Sequence, residues 1–264
     1  ALARSVLSHL GWKTRWRTDY MIHETSPVLR ERQKKNLRWK GVRWIDSLPR
    51  TLDRLDGRAL IFSNELVDAF PCRLLVRRED SWEEIGVRIQ SDGSLSEVSL
   101  GAPSDTASYT PEESQPLPSP VPDGQRVERH DSYHSWIKAW AHHWKSGSML
   151  TIDYGDVVEK LYDRRPEGSL RAYWKHHRYI GRDLYARFGK QDMTADVNFS
   201  DLIAWGEALD WKTNLHATQR EFMAEYHPKT SNSSNSPSSA KFLTPGDAGD
   251  AFRVLDQQPK PFSG

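Results

Sequence analysis

The stretch Ala-Leu-Ile-Phe-Ser-Asn-Glu-Leu-Val-Asp-Ala-Phe-Pro at residues 59–71 constrains this chain more than any other. Ala59 to Phe62 form an unbroken apolar run between the charged turn Asp56-Gly57-Arg58 and Ser63. A short apolar run bounded by turn residues predicts a strand buried on both faces, as in a parallel sheet. Asn64, Glu65 and Asp68 follow at its carboxyl end, which is where open α/β sheets bind ligands. Two readings stand for this polar cluster. Ser63 or Asn64 caps a helix with Glu65 in its first turn, or the cluster is a ligand site in which capping has a share.

The same grammar recurs along the chain. Asp19 to Thr25 reads as a strand with Glu24 at its carboxyl end, and Ser26-Pro27 opens a helix with Ser as N-cap. An ionised acid there can accept hydrogen bonds from two ribose hydroxyls; a surface glutamate beside a turn is the alternative. Val42 to Ile45 reads as a third strand, and residues 51–57 as a connection. Ser148 to Gly155 is a further buried strand whose Asp153 is expected to point into the cleft, with Gly155 allowing a turn. Strand-then-helix units in series predict an α/β fold with a parallel, doubly wound sheet.

Between these units the pattern changes. Arg73–Val76, Trp82–Ile89 and Leu95–Val98, joined by polar turns, predict an antiparallel β-meander inserted over the cleft. Residues 101–128 are a Pro/Ser-rich linker, too poor in apolar surface to order themselves strongly. Tyr133, Trp136, Ile137, Trp140, Ala141 and Trp144 then share one face of a helix that Asp131 is expected to cap. Ser200 is read as the cap of a helix over 201–209, followed by a strand near 211–218 and a helix over 218–226. Residues 227–264 read as a mostly irregular tail, Ser/Asn-rich over 228–240, with a short helix at 248–255.

Composition narrows the function. Charged residues are 28% and hydrophobic residues 37%, no apolar run approaches the ~18 residues of a membrane span, and a net charge of +1 argues against a nucleic-acid binder. The single Cys72 excludes an internal disulfide and a multi-cysteine metal site. His130 and His134 stand four apart without an evident third ligand, and His142-His143 is no better placed, so no metal site is expected.

Asn64-Glu65-x-x-Asp68-Ala69-Phe70-Pro71 resembles the Asn-Glu-x-x-Asp-Ala-Leu-Pro motif of the MidA-like S-adenosylmethionine-dependent methyltransferases, which include mitochondrial complex I assembly factors. Tyr20-x-x-x-Glu24-x-Ser26-Pro27-x-Leu29-Arg30-x-x-Gln33-x-x-x-Leu37 is similar to that family's second strand and helix. Asp153-Tyr154-Gly155, Gly168-Ser169-Leu170-Arg171-Ala172-Tyr173-x-x-His176 and Asp192-Met193-Thr194-Ala195-Asp196-Val197-Asn198-Phe199 resemble three later blocks, in the right order. Phe70 replaces the usual Leu, and Asn198 stands where the family has an acid.

The resemblance implies a Rossmann-like methyltransferase core in two parts, residues 1–72 and 129–226, with the meander over 73–100. It implies S-adenosyl-L-methionine as cofactor, with Glu24 on the ribose and Asn64 and Asp153 also at the cofactor. Glu65, Asp68 and His176 are the catalytic candidates, and Tyr154, Tyr173 and Asp192 the substrate-binding ones. The acceptor it suggests is a protein arginine, whose planar cation matches a fork of carboxylates; a non-catalytic assembly module of the same fold is the alternative. A respiratory complex I subunit is the partner so implied, and a homodimer is an expected assembly. The compartment would be the cytoplasm in a bacterium or the mitochondrial matrix in a eukaryote. The family's glycine-rich loop is expected upstream of Ala1, which makes the chain a fragment on this reading.

Overall fold

The computed structural model describes residues 2–37, 41–103, 121–163, 165–226 and 244–261. Most of the proline-rich linker and all of the Ser/Asn-rich stretch at 228–240 lie outside the described residues. The chain divides into two compact units, Ala1–Arg58 and Ala59–Gly264.

The first unit runs α1 (Leu2–His9), α2 (Trp12–Trp16), β1 (Tyr20–His23), α3 (Pro27–Asn36), β2 (Val42–Ile45) and α4 (Leu48–Arg54). β1 and β2 pair in parallel, with Tyr20 opposite Val42. The Ser26 hydroxyl accepts the Leu29 N–H at 3.3 Å, so the expected cap opens α3 with proline in its first turn. The connection expected at 51–57 is mostly α4. Ser47 accepts the Arg50 N–H at 3.4 Å and Pro49 lies in the first turn, a start signal present in the sequence.

The second unit runs β3 (Ile61–Asn64), β4 (Arg73–Arg78), β5 (Ser81–Ile89), β6 (Leu95–Ser99), β7 (Arg126–Arg129), α5 (Asp131–Ala141) and β8 (Met149–Asp156). It continues through α6 (Val158–Leu161), β9 (Arg171–Trp174), β10 (His177–Tyr179), a 3-10 turn at Gly181–Tyr185, β11 (Asp192–Thr194) and β12 (Val197–Asn198). It closes with α7 (Phe199–Ala208), β13 (Trp211–Thr218), α8 (Gln219–Tyr226), α9 (Ala248–Ala251) and β14 (Phe252–Pro259).

The main sheet is mixed rather than wholly parallel. β3 runs parallel to β8 with Ile61 opposite Met149, and β12 is parallel to the end of β8. β14 lies antiparallel between β8 and β13. The tail therefore supplies a strand where a helix over 248–255 was expected. The helix stops at Ala251, and Phe252, Val254 and Leu255 are buried in the sheet. Burial of that apolar set against β8 outweighs the weak helical preference of the Ala-Gly-Asp-Ala run.

β3 is not buried on both faces: Ser63 is buried, whereas Leu60 and Phe62 are exposed. Successive strand side chains point to opposite faces, and one face of β3 is uncovered in this unit. The meander forms as expected, with β4 against β5 and β5 against β6, all antiparallel. Residues 126–129, read in part as linker, form β7 and extend it beside β4.

The core is aromatic. Trp140, 1% exposed, meets Trp136, Trp144 and Trp211 at ring-centroid distances of 5.4, 6.2 and 5.7 Å, tying α5 to β13. His134 stacks on Trp205 at 4.6 Å and 7°, which accounts for a buried histidine in packing terms. Asp131 is the first residue of α5 rather than its cap: its carboxylate pairs with Arg73 at 3.0 Å, and His130 precedes it. Asn198, to which the sequence assigned no role, caps α7 by accepting the Ser200 N–H at 3.0 Å; Ser200 is inside the helix.

Candidate active site

The ends of β3 and β8 carry the acidic cluster, and no helix follows β3. Residues 65–70 form a turn instead, so the capping alternative for Asn64 and Glu65 falls. Glu65 leaves the sheet with φ +50°, the left-handed region that a non-glycine residue occupies only where its surroundings enforce it. Its N–H donates to the Ile152 carbonyl at 2.9 Å, and the Asn64 side-chain amide donates to Glu65 Oε1 at 2.9 Å. Asn64 thus orients an exposed Glu65.

Asp153 does not point into an open cleft. It is fully buried, and its Oδ2 accepts the N–H groups of Leu66, Val67 and Asp68 at 3.1, 2.9 and 3.4 Å. Its Oδ1 accepts the Tyr154 N–H at 2.9 Å. The carboxylate is the peg on which the 66–68 turn hangs, because a turn leaving a strand end has amides with no ladder partner. Burial, then the neighbouring Asp68 charge, raise Asp153 to about 7 against the pull of these amides. The folded value lies above the ordinary 3.8, so folding takes up a proton between the two. This contribution to stability is complete in acid and is lost as pH rises through about 7. Urea midpoints followed from about pH 4 to about pH 8 should fall more steeply with pH in the wild type than in Asp153→Asn. Parallel profiles would show that Asp153 does not titrate there.

Asp68 is held from across the unit. The Thr194 hydroxyl on β11 donates to its Oδ2 at 2.8 Å. Its Oδ1 is buried and meets no donor among the described residues. A buried carboxylate oxygen without a donor is costly unless a partner arrives, so this atom marks a place for a donor-bearing guest. Glu65 and Asp68 both push the Tyr154 hydroxyl upward after burial, which places all three in one electrostatic neighbourhood.

Arg171 completes the constellation, and sequence reasoning quoted it without giving it a role. Its guanidinium lies 5.9 Å from the Tyr154 ring centroid and 6.0 Å from that of Tyr173. It donates to the Tyr173 hydroxyl at 3.1 Å and to Asp196 at 2.5 Å. The aromatic faces expected to receive a substrate cation therefore already bear one of the protein's own. A bare arginine in a Leu-Arg-Ala-Tyr run carries no local signal of this; the contact exists because β9 faces the end of β8.

The other candidates are placed differently. His176 sits with Lys175 in the two-residue turn between β9 and β10, exposed, both at positive φ. Asn-Gly would be the usual choice for such a turn, and His176 is a hairpin tip rather than a strand-end group. Asp192 is exposed at the start of β11, opposite Tyr173. Cys72 is a free thiol pushed up to about 12 by burial and Glu128, which keeps it protonated. Among the described residues no three His, Cys, Asp or Glu could hold a metal ion, and no helix is long and apolar enough to cross a membrane.

Glu24, in the first unit, is built for hydrogen bonding. Its Oε1 accepts the Ser26 N–H and its Oε2 the Gln33 amide, both at 2.9 Å, while Gln33 accepts the Trp44 indole N–H at 2.9 Å. Each carboxylate oxygen keeps lone-pair capacity for one more donor. That acceptor pair suits the two hydroxyl donors of a ribose.

A mixed α/β fold with acids at the carboxyl ends of its strands is of the kind that binds nucleoside cofactors at those ends. The family described as "Putative S-adenosyl-L-methionine-dependent methyltransferase" matches residues 1–217. The chain belongs to that family, whose cofactor is S-adenosyl-L-methionine. It is 27% identical over 217 residues to a Caenorhabditis elegans protein, "Protein arginine methyltransferase NDUFAF7 homolog, mitochondrial". That match covers 76% of this chain but spans 43% of the relative's length.

Two crystal structures of Burkholderia thailandensis proteins share the fold. One, solved with S-adenosyl-homocysteine bound, superposes with a TM-score of 0.75 at 23% identity, covering 97% of this chain and 68% of the other. The second, a native structure of an uncharacterized protein, gives 0.71 at 25% identity over 93% and 67%.

Proposed function

We propose that this methyltransferase modifies an arginine of a protein acceptor. The observation that carries the reading is the Asp68 carboxylate, pinned by Thr194 through one oxygen while the other is buried without a donor among the described residues, with Glu65 acting on the same tyrosine, Tyr154. A guanidinium offers five N–H donors in a planar fork, the complement of two adjacent carboxylates. Glu65 and Asp68 would hold and align it, Asn64 and Asp153 would fix the geometry of both, and Tyr154 and Tyr173 would position Arg171 at the rim. Alignment of this kind contributes on the order of 7 to 11 kcal/mol at best.

Glu24 would hold the ribose of the cofactor. The chemistry the cofactor supplies is an electrophilic methyl on a sulfonium centre. The three parallel strand pairings support a doubly wound methyltransferase sheet as the underlying architecture. The name borne by the nematode relative supports the arginine acceptor; a respiratory complex I subunit as partner, a homodimer and the compartments named above stand with that same reading.

Calorimetric titration with S-adenosyl-homocysteine, paired with mass spectrometry of arginine and lysine peptides, tests this. Micromolar binding together with a mass gain of one methyl on arginine is the expected result. Cofactor binding with methyl transfer to lysine, or to no peptide at all, would overturn the arginine assignment.

A further inference from the structure

A cleft of about 610 Å³ opens beside Tyr154, at the end of β8. The same tyrosine responds to Glu65 and Asp68, so the cleft shares a residue with the proposed acceptor site. One of its walls, Gly168 to Arg171, is locked from behind. The buried Glu128 accepts the N–H groups of Ser169 and Leu170 at 2.8 and 3.0 Å and the Ser169 hydroxyl at 2.9 Å. Ser169 in turn accepts the Asp196 N–H at 2.9 Å. Gly168 has φ +73°, and a Cβ there would meet Glu128 Oε1 at 2.3 Å, so the wall is built for a glycine. That wall is thus held in place by hydrogen bonds from behind.

Its lining carries four cations and four carboxylates, but they do not all pair with one another. Asp156 and Asp250 line it, but each is neutralised by an arginine outside the lining, Arg253 and Arg220. Asp196 is shared by two lining arginines, Arg165 at 2.6 Å and Arg171 at 2.5 Å, which leaves one positive charge over. Glu167 remains against Lys160 and Arg178, which leaves a second. Lys160 and Arg178 are exposed and have no carboxylate in ion-pair range among the described residues.

We propose that this cleft is the docking channel for acidic residues flanking the target arginine, so that the preferred acceptor is a polypeptide with Asp or Glu near its methylated side chain. The inference rests on the arginine reading and deepens it. The site is then bipolar. The carboxylates of Glu65 and Asp68 take the guanidinium, and the surplus cations beside Tyr154 take the flanks. Charges exposed in a concave wall steer partners and select among them more than they add raw affinity.

Fluorescence anisotropy with two labelled peptides tests it. Both carry one arginine in a glycine-serine core; one is flanked by aspartates, the other by lysines. The wild-type protein should bind the aspartate peptide about tenfold tighter at low salt, the gap closing as salt rises past ~0.15 M. Lys160→Glu/Arg178→Glu should cancel or invert the preference, and Lys160→Ala/Arg178→Ala should halve it on a logarithmic scale. Both side chains are exposed and have no ion-pair partner among the described residues, so circular dichroism should show an unchanged fold. Equal binding of the two peptides by the wild type, or an unchanged preference in the reversal variant, overturns the proposal. Methyl transfer measured on the same peptides keeps the two ideas apart. A strong aspartate preference without arginine methylation leaves the channel standing and removes the reaction; arginine methylation without flank preference does the reverse.

Discussion

Asp68→Asn should lower methyl transfer about 10²–10³-fold, the size seen when one preorganised electrostatic group is removed from a reacting site. Thr194 will still find an oxygen to donate to at 2.8 Å, so the asparagine oxygen takes the Oδ2 position. The amide NH₂ then replaces the buried Oδ1, setting two donors against a guest that itself has only donors. Attraction becomes repulsion at one atom while the fold stays as it was. Stability should hold or rise, because Asp68 is the charge that, after burial, most raises the Asp153 pKa. The check is kcat/KM on an arginine peptide together with thermal unfolding. A variant that keeps full activity removes Asp68 from the acceptor grip. One that unfolds marks it as structural instead.

Trp140→Ala should cost about 3–5 kcal/mol of stability, the usual range for emptying a fully buried large aromatic site. Total stability of a domain is about 5–15 kcal/mol, so the variant is expected to be partly unfolded at body temperature. The reason is position. Trp140 is 1% exposed and is in ring contact with Trp136 and Trp144 on its own side and with Trp211 on β13. Removing it breaks the seam between α5 and the main sheet, of which β8 and the Asp153 peg are part. Trp140→Phe should cost less, since the indole N–H is buried without an acceptor among the described residues. Ser135→Ala, on the exposed face of the same helix, should stay within about 0.5 kcal/mol. Urea unfolding of the three variants decides it, and a Trp140→Ala midpoint close to the wild type would refute the role assigned to the seam.

Much of this arrangement can be read from residue order. Strand-end acids at Glu24, Glu65 and Asp153 stand where apolar runs stop, and each strand formed close to its expected span. The α5 stripe was legible because helical periodicity survives any choice of neighbour. The meander was legible because alternation and turn residues are local. Beyond that range the reading failed in a consistent way. β14 lacks a local signal strong enough to beat its Ala-Gly lead-in, and its strand state comes from burial between β8 and β13. The cap of α7 went to Asn198 instead of Ser200, a shift of two residues that only backbone geometry settles.

Sequence alone determined the family, the α/β class and the inventory of charged groups, because apolar runs, turn residues and motif order are properties of the chain read in line. Tertiary structure decided what each acid does. Asp153 proved to be a buried peg and not a rim group, since three amides converge on it from a turn up to 87 residues away and the Tyr154 amide joins them from the next position. Asp68 became the carboxylate with a buried oxygen to spare because Thr194, 126 residues later, arrives beside it. Solvation and hydrogen-bond partners set the chemistry of a carboxylate, and both are supplied by residues that are distant in the chain and adjacent in space.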